Sequence, residues 1–422
     1  MRITIVGGGI AGLATALSLH AAGFEPQVRE SARTIEAVGV GINLLPHAVR
    51  ELAELGLAEE LARIALAPER LRYFDRDGGW IWDEPLGLSA GYRWPQYSVH
   101  RGRLHVMLLA AVRERLGPEA VRTGMAFEGF EQTPDGVVAR FLDRATGGAV
   151  VERSDLLIGA DGIDSAVRAR LHPEEGPSNW NGVHMWRGLA QYPHILDGRS
   201  IVVAGGTPGA KFVAYPIADP ASPGGRTLMN WVLEVRHESG QGALDRSNRR
   251  IGVDEARAGL AGWKLPWIDL PDLLENSSAI FEYPMLDRDP LARWSFDRVT
   301  LLGDAAHPMF PMGMNGGSQS VIDARALAWC LAEDEEPVAA LRRYDRMRRE
   351  AVNEVVLRNR ELGPEEIIAR AAERGGALPG PQAEVISRGY KQVARSTAEH
   401  VNTGASWTVS RSRADRIKAR AR

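Results

Sequence analysis

Three short runs of the chain carry residue types and spacings suited to holding a phosphorylated, polyhydroxylated ligand. The first, Gly7-Gly8-Gly9-Ile10-Ala11-Gly12, fits the pattern G-x-G-x-x-G. In that pattern the first glycine permits a tight turn, the second lets a pyrophosphate approach the backbone, and the third lets a helix pack on a strand. The helix that follows offers unpaired N–H groups and a partial positive charge. Glu30, at the end of the next expected strand, is placed to accept hydrogen bonds from a ribose. The second run, 157–168, reads as a buried strand, an Asp161-Gly162 turn and a helix starting near Ser165. The third passes through Gly303-Asp304-Ala305-Ala306-His307-Pro308 to Pro311-Met312-Gly313-Met314-Asn315-Gly316-Gly317-Ser318. An acid directly behind a buried strand needs donors, so Asp304 is expected on a polyol or on backbone. The glycine-rich stretch then leads into a helix whose first amides point at whatever lies in front.

The elements that position these runs follow from local pattern. Ile3, Ile5 and Val6 form a short apolar run typical of a strand buried on both faces. Residues 10–22 are rich in Ala and Leu and stop at Gly23, and 27–30 give the next strand, a βαβ opening. Further helices are expected at 46–65, 101–116, 317–332 and 338–362, and buried strands at 156–158 and 299–302. Between Leu71 and Val99, Tyr73, Phe74, Trp80, Trp82, Tyr92, Trp94 and Tyr97 sit in short alternating runs that predict antiparallel strands. Residues 212–215 and 228–235 read as half-buried strands, and Pro220-Ala221-Ser222-Pro223-Gly224-Gly225 as a turn cluster. The predicted fold is α/β: a discontinuous Rossmann-like nucleotide-binding domain (1–70, 100–175 and 285–335), an inserted strand-rich substrate domain (71–99 and 176–284), and C-terminal helices with a basic tail (336–422).

Composition narrows the function. The formal charge of −3 gives no case for nucleic acid or an anionic membrane. The last residues carry Arg411, Arg413, Arg416, Lys418, Arg420 and Arg422 against Asp415, read as a frayed, solvated tail. One cysteine, Cys330, allows no intrachain disulfide and no Cys/His zinc site, and points to a reducing, cytoplasmic setting. Residues 1–19 imitate a secretory signal, but three consecutive glycines fit a strand–turn–helix better. No apolar run reaches the length of a membrane span.

In this order and spacing, the three runs resemble the FAD-dependent aromatic hydroxylases of the para-hydroxybenzoate hydroxylase type, whose Asp-Gly and Gly-Asp fingerprints the second and third runs match. The likeness extends to about residue 362. A finer resemblance, to the monooxygenases acting on 5-methylphenazine-1-carboxylate, rests on Gly39-Val40-Gly41-Ile42-Asn43, Gln96-Tyr97-Ser98-Val99-His100-Arg101-Gly102, Met185-Trp186-Arg187-Gly188, Val213-Ala214-Tyr215-Pro216-Ile217 and Tyr283-Pro284-Met285-Leu286-Asp287-Arg288-Asp289-Pro290. The resemblance implies that Gly7, Gly9, Ala11, Gly12 and Glu30 bind the ADP half of FAD and that Arg101 lies near its pyrophosphate. It places Gly41 near the flavin, Asp304 on the ribityl chain, and Gly316, Gly317 and Ser318 at the pyrimidine edge. Asp161 matches an acid linked to FAD and nicotinamide handling. It also implies chemistry without an amino-acid nucleophile: a transiently bound NADH or NADPH reduces the flavin, dioxygen adds at C4a, and the hydroperoxide oxygenates a small aromatic or N-heteroaromatic ring.

Aromatic and apolar walls suit a flat ring, which directs attention to Trp186, Phe212, Tyr215, Trp231 and Pro311 as substrate contacts. Lys211 or Arg187 could meet a substrate carboxylate, and His307 reads as structural rather than acid/base. Two rivals share the loops. A flavin-dependent halogenase would need a Trp-x-Trp-x-Ile-Pro stretch, and Trp80-Ile81-Trp82-Asp83-Glu84-Pro85 breaks that pattern at Glu84. A non-catalytic protein that binds flavin or an aromatic ligand needs the same glycine turns.

Overall fold

All four residues of the strand Ile3–Val6 are buried, as an apolar run without alternation requires of a strand covered on both faces. It pairs in parallel with Gln27–Arg29 on one side and Leu156–Gly159 on the other, and Leu156–Gly159 pairs in parallel with Val299–Leu301. Val121–Arg122 and Ser295–Phe296 complete a six-stranded sheet. The first helix, Ile10–Ala21, packs beside the long helix Gly316–Glu333 over this sheet, and their side chains share one core. The computed structural model describes residues 1–207, 210–219, 225–236 and 249–421; Pro220 to Gly224 of the expected turn cluster and Arg422 lie outside the described residues.

A second sheet has eight strands, in the order Arg249–Ile251, Ser277–Asp287, Asn179–Tyr192, Thr227–Arg236, Ala210–Pro216, Ser200–Thr207, Arg70–Phe74 and Trp80–Pro85. Its pairings are antiparallel except where Ser200–Thr207 runs parallel to Arg70–Phe74. The aromatic strands near residue 70 thus join the strand-rich middle of the chain in one sheet. An antiparallel meander, Met125–Thr133, Gly136–Asp143 and Gly148–Ser154, forms a third sheet, and Gly41–Leu44, Ala65–Leu66 and Tyr97–His100 form a fourth.

Two local expectations change. The helix expected over 46–65 is two helices, Pro46–Glu54 and Ala58–Ile64, because Gly56 takes a left-handed φ of 74° between them. The C-terminal tail is a docked strap rather than a frayed one. Trp407 lies edge-on to Trp329 with ring centroids 5.6 Å apart, and Thr408 donates to Glu54 and accepts from Arg325. Arg413 in the helix Arg411–Ala421 donates to the carbonyls of Ala332 and Glu333, ending the long helix with a cation as its dipole favours. Among the described residues, no helix is long and apolar enough to cross a membrane.

Candidate cofactor and substrate site

Val6, Gly159 and Leu301 lie side by side in one row of the parallel sheet. The three runs singled out in the sequence therefore leave the same edge together, at the carboxyl ends of the strands where open α/β sheets bind ligands. Their contacts are close. A side chain on Gly7, whose φ is 104°, would strike the Ala160 carbonyl, and one on Gly303 would come within 2.9 Å of the Ala11 methyl.

Within the first run the glycines divide by what they face. A Cβ on Gly12 would stand 2.0 Å from the Gly7 carbonyl oxygen, so this glycine serves helix-on-strand packing. Among the described residues, a Cβ on Gly9 would meet nothing within 4 Å, and no side chain caps the helix that Gly9 opens. The free first-turn amides and the open space in front of them fit a pyrophosphate. His105 steadies the turn through a 2.6 Å contact with the Gly8 carbonyl, a role the sequence reading did not anticipate. Glu30 accepts from the amides of Gly8 (2.6 Å) and Ala32 (2.7 Å), which fixes its carboxylate at the strand end.

The second run is self-capped. Asp161 accepts from Ser165 Oγ at 2.5 Å and from the amides of Ala166 and Val167, anchoring the short helix Ala166–Leu171. Burial raises its pKa against the pull of these donors. In the third run Asp304 departs from expectation: it is exposed, and among the described residues its carboxylate has no hydrogen-bond partner, so both oxygens are available to a polyol. The buried acid beneath this loop is Asp323. It accepts from His307 Nε2 (2.5 Å), Arg348 Nε (2.8 Å) and the Gly303 amide (3.2 Å). Burial opposes its ionisation, but His307 and Arg348 hold its pKa below the usual carboxylate range. His307 is thus part of the loop's foundation. Gly316, Gly317 and Ser318 open the helix Gly316–Glu333, where Asn315 gives no side-chain cap. The Ser318 hydroxyl is used inward, accepting from the Leu45 amide at 3.0 Å, and a Cβ on Gly317 would press on Ile42.

Gly41 joins these loops to the eight-stranded sheet. Its amide donates to Asn230 Oδ1 (2.7 Å) and its carbonyl accepts from Arg187 Nη2 (2.8 Å). Arg101 caps the approach: exposed, at the first position of its helix, with its amide on the Val40 carbonyl. On the sheet face turned toward Gly41, Arg187, Val232 and Val213 stand opposite one another in one cross-strand row, and all three are half-buried. Met185, two residues from Arg187 and on the same face, packs against the cluster of Phe310 and Met312. Tyr215 is on this face, where the neighbouring Arg187 and Asn43 side chains act on its phenol, while Pro311 is exposed at the loop. These residues make an apolar floor beside the third loop.

The structure does not bring Trp186, Phe212 and Trp231 to that floor. They occupy the opposite face and belong to a core with Trp263, Leu273 and Leu274. Trp186 donates to Glu282 (2.8 Å) and Trp231 to Ser277 (2.9 Å), so their polar edges are satisfied within the protein. Parity alone was the available signal: along a strand, neighbours point to opposite faces. Lys211 faces inward but is held between Glu234 (2.5 Å) and Glu365 (2.6 Å). The Trp80–Pro85 stretch is the edge strand of the sheet, with Glu84 paired to Lys391 at 2.6 Å.

Comparison with known proteins agrees with this geometry. A family model described as FAD binding domain matches residues 1–359. The chain is 46% identical over 362 residues to phenazine 1,6-dicarboxylic acid hydroxylase of Lysobacter antibioticus, covering 85% of this chain and 89% of that protein. It is 36% identical over 373 residues to a 3-amino-4-hydroxybenzoate 2-monooxygenase of Streptomyces platensis, covering 86% and 88%. In fold it resembles Klebsiella pneumoniae HpxO, solved with FAD and uric acid, at a TM-score of 0.70 and 22% identity, covering 99% of this chain and 96% of that one.

Proposed function

Because the chain belongs to the FAD-binding domain family and is an FAD-dependent aromatic monooxygenase, we propose that it holds FAD across its three loops and, with NADH or NADPH and dioxygen, hydroxylates a small aromatic or N-heteroaromatic, phenazine-like ring. The observation that carries the cofactor assignment is the row Val6, Gly159 and Leu301, which delivers all three loops to one edge. Gly7, Gly9, Ala11 and Gly12 would hold the pyrophosphate with first-turn amides, Glu30 the adenosine ribose, and Arg101 the phosphate charge. Asp304 would bond the ribityl hydroxyls. Gly41, Gly316, Gly317 and the Ser318 amide would face the ring system, and Asp161 would support the dinucleotide through the helix it caps.

Bound FAD supplies the redox and oxygen chemistry. The chain's own part is placement and dryness. Val213, Val232, Met185, Tyr215 and Pro311 would shape an apolar slot for the ring between sheet and third loop, keeping water from the reacting atoms. Tyr215 and Pro311 remain from the residues first named as substrate contacts.

The test is oxygen uptake and NADH or NADPH oxidation by the FAD-loaded protein against a panel of aromatic acids and phenazines. A ring-hydroxylated product by mass spectrometry is the expected result. Ligands that bind without stimulating nicotinamide oxidation would overturn the enzymatic reading in favour of a binding protein.

A further inference from the structure

Resting on the FAD reading above, we propose that Tyr390 is a positioning residue for the cofactor: it sets the shape of residues 312–315 and so the aim of the Gly316, Gly317 and Ser318 amides. The matched family domain ends at residue 359, whereas Tyr390 belongs to the helix Gly380–Val393. Its phenol nevertheless reaches under the third loop. Asn315 Nδ2 donates to the Tyr390 oxygen at 3.0 Å, and the Met312 carbonyl lies 3.2 Å from it. Asn359 Oδ1 is nearer still, at 2.6 Å. The Asn359 amide is spent on the Phe310 carbonyl (2.9 Å), which turns its oxygen toward Tyr390 as acceptor of the phenol proton. One hydroxyl therefore ties the two sides of a bend together, Phe310 through Asn359 and Asn315 directly.

The bend is one that needs holding. Gly313 and Met314 both take left-handed backbone, with φ of 61° and 59°, and a residue such as Met314 rarely does so unless its surroundings fix it. The Tyr390 ring packs so tightly against the bend that a Cβ on Gly313 would run into it. From Asn315 the polar contacts continue. Its Oδ1 accepts from Gln319 Nε2 (3.2 Å), and Gln319 Oε1 accepts from Arg348 Nη2 (2.6 Å). Arg348 also donates to Asp323, the acid that holds the Gly303 amide. One buried network thus runs beneath the third loop, and Tyr390 anchors it where the helix Gly316–Glu333 begins. Burial pushes the Tyr390 pKa above its ordinary value, so the phenol keeps the proton it donates. The first amides of that helix favour negative charge in front of them, and their effect depends on their aim. Reduced flavin carries more negative charge than oxidised flavin. Loosening the bend therefore weakens the hold on reduced FAD more than on oxidised FAD.

The experiment compares FAD-loaded wild type, Tyr390→Phe and Ser387→Ala by reductive titration against a redox dye, with urea unfolding of the same proteins alongside. Ser387 lies on the same helix, but its buried hydroxyl donates to Glu84 (2.8 Å) on the edge strand, so Ser387→Ala matches the loss of a buried hydroxyl without touching the loop. Tyr390→Phe should shift the balance of affinities from reduced toward oxidised FAD by roughly threefold to tenfold. That lowers the flavin potential by about 14–30 mV, at about 30 mV per tenfold for a two-electron couple. Ser387→Ala should lose stability and keep the wild-type potential. Asn315→Ala cuts the same link from the loop side; it should lower the potential likewise, and it carries the test if Tyr390→Phe does not fold. An unchanged or raised potential in Tyr390→Phe, or an equal fall in Ser387→Ala, overturns the proposal, since the helix would then serve stability alone. A wild type that captures no FAD overturns the cofactor reading and this proposal with it, and that result is visible before any variant is made.

Discussion

On the outer face of the eight-stranded sheet, Trp186, Phe212 and Trp231 are buried against a layer that includes Trp263 and the helix Leu270–Glu275. One residue further along the same strands, Arg187, Val213 and Val232 face the loops and stay half-buried although they stand in the middle of the sheet. The strands are the same; only parity differs. The outer face shows what aromatic side chains do for stability, with the indole N–H groups of Trp186 and Trp231 paired inside the protein and glycine opposite to make room: a Cβ on Gly188 would press to 2.7 Å on the Trp231 ring. The inner face lacks that filling and holds Arg187, a cation without a carboxylate partner among the described residues. A binding surface is recognised here by what has been left incomplete, not by where the rings are.

The sharpest way to break this contrast is to shorten one side chain on each face. Trp231→Ala empties a fully buried site and should lower stability by about 3–5 kcal/mol. Val232→Ala, its chain neighbour on the half-buried face, should cost about 1 kcal/mol or less. Urea unfolding of both variants in the FAD-loaded state gives the comparison directly. Equal losses would mean that the inner face is ordinary core and that the ring slot lies elsewhere.

A second prediction applies the same contrast to a titratable group that faces protein only. His47, in the helix Pro46–Glu54, is buried, and neither ring nitrogen has a hydrogen-bond partner among the described residues. Burial, reinforced by Arg348, Arg50 and His400, lowers its pKa from 6.5 to about 3. Below pH 6.5 the unfolded chain takes up a proton that the folded chain refuses, so stability falls as pH drops, by about 1.4 kcal/mol per unit. By about pH 5 the loss from this group is about 2 kcal/mol, and His47→Leu should remove it. Unfolding midpoints of wild type and variant at neutral pH and near pH 5 check this; parallel losses in the two proteins would show that His47 is not the group responsible.

What the sequence disclosed and what it hid follow one physical line. Strands buried on both faces announce themselves as continuous apolar runs, and glycine turns have few other uses, so the row Val6, Gly159 and Leu301 with its loops was legible. The side of a sheet on which a residue falls was not, because Trp186 and Met185 are both apolar and only the tertiary partner tells them apart. The same applies to acids. Asp304 looked like the buried member of the third loop, whereas the buried acid is Asp323, whose partners His307 and Arg348 are distant along the chain. The tail misled through composition: its arginines suggested solvation, but Trp407 and Ala414 supply the anchors, and the Ala414 carbonyl sits where a Cβ on Gly23 would fall.

Asp304 gives the smallest expected effect on stability and for that reason the cleanest separation of ligand-facing from protein-facing groups. It is exposed and has no protein partner among the described residues, so Asp304→Ala should leave the unfolding midpoint of the cofactor-free protein within about 0.5 kcal/mol of wild type. Its carboxylate is nonetheless the one acid of the third loop free to accept from a polyol, and charge-assisted hydrogen bonds of that kind are worth about 1.5–3 kcal/mol. The variant should therefore purify pale and bind added FAD at least tenfold more weakly, measured by flavin fluorescence quenching. Full retention of FAD with unchanged stability would move the ribityl contact off Asp304 and leave the third loop with a packing role only. A large fall in stability without cofactor would place Asp304 with Asp323, among the groups that hold the loop rather than the ligand.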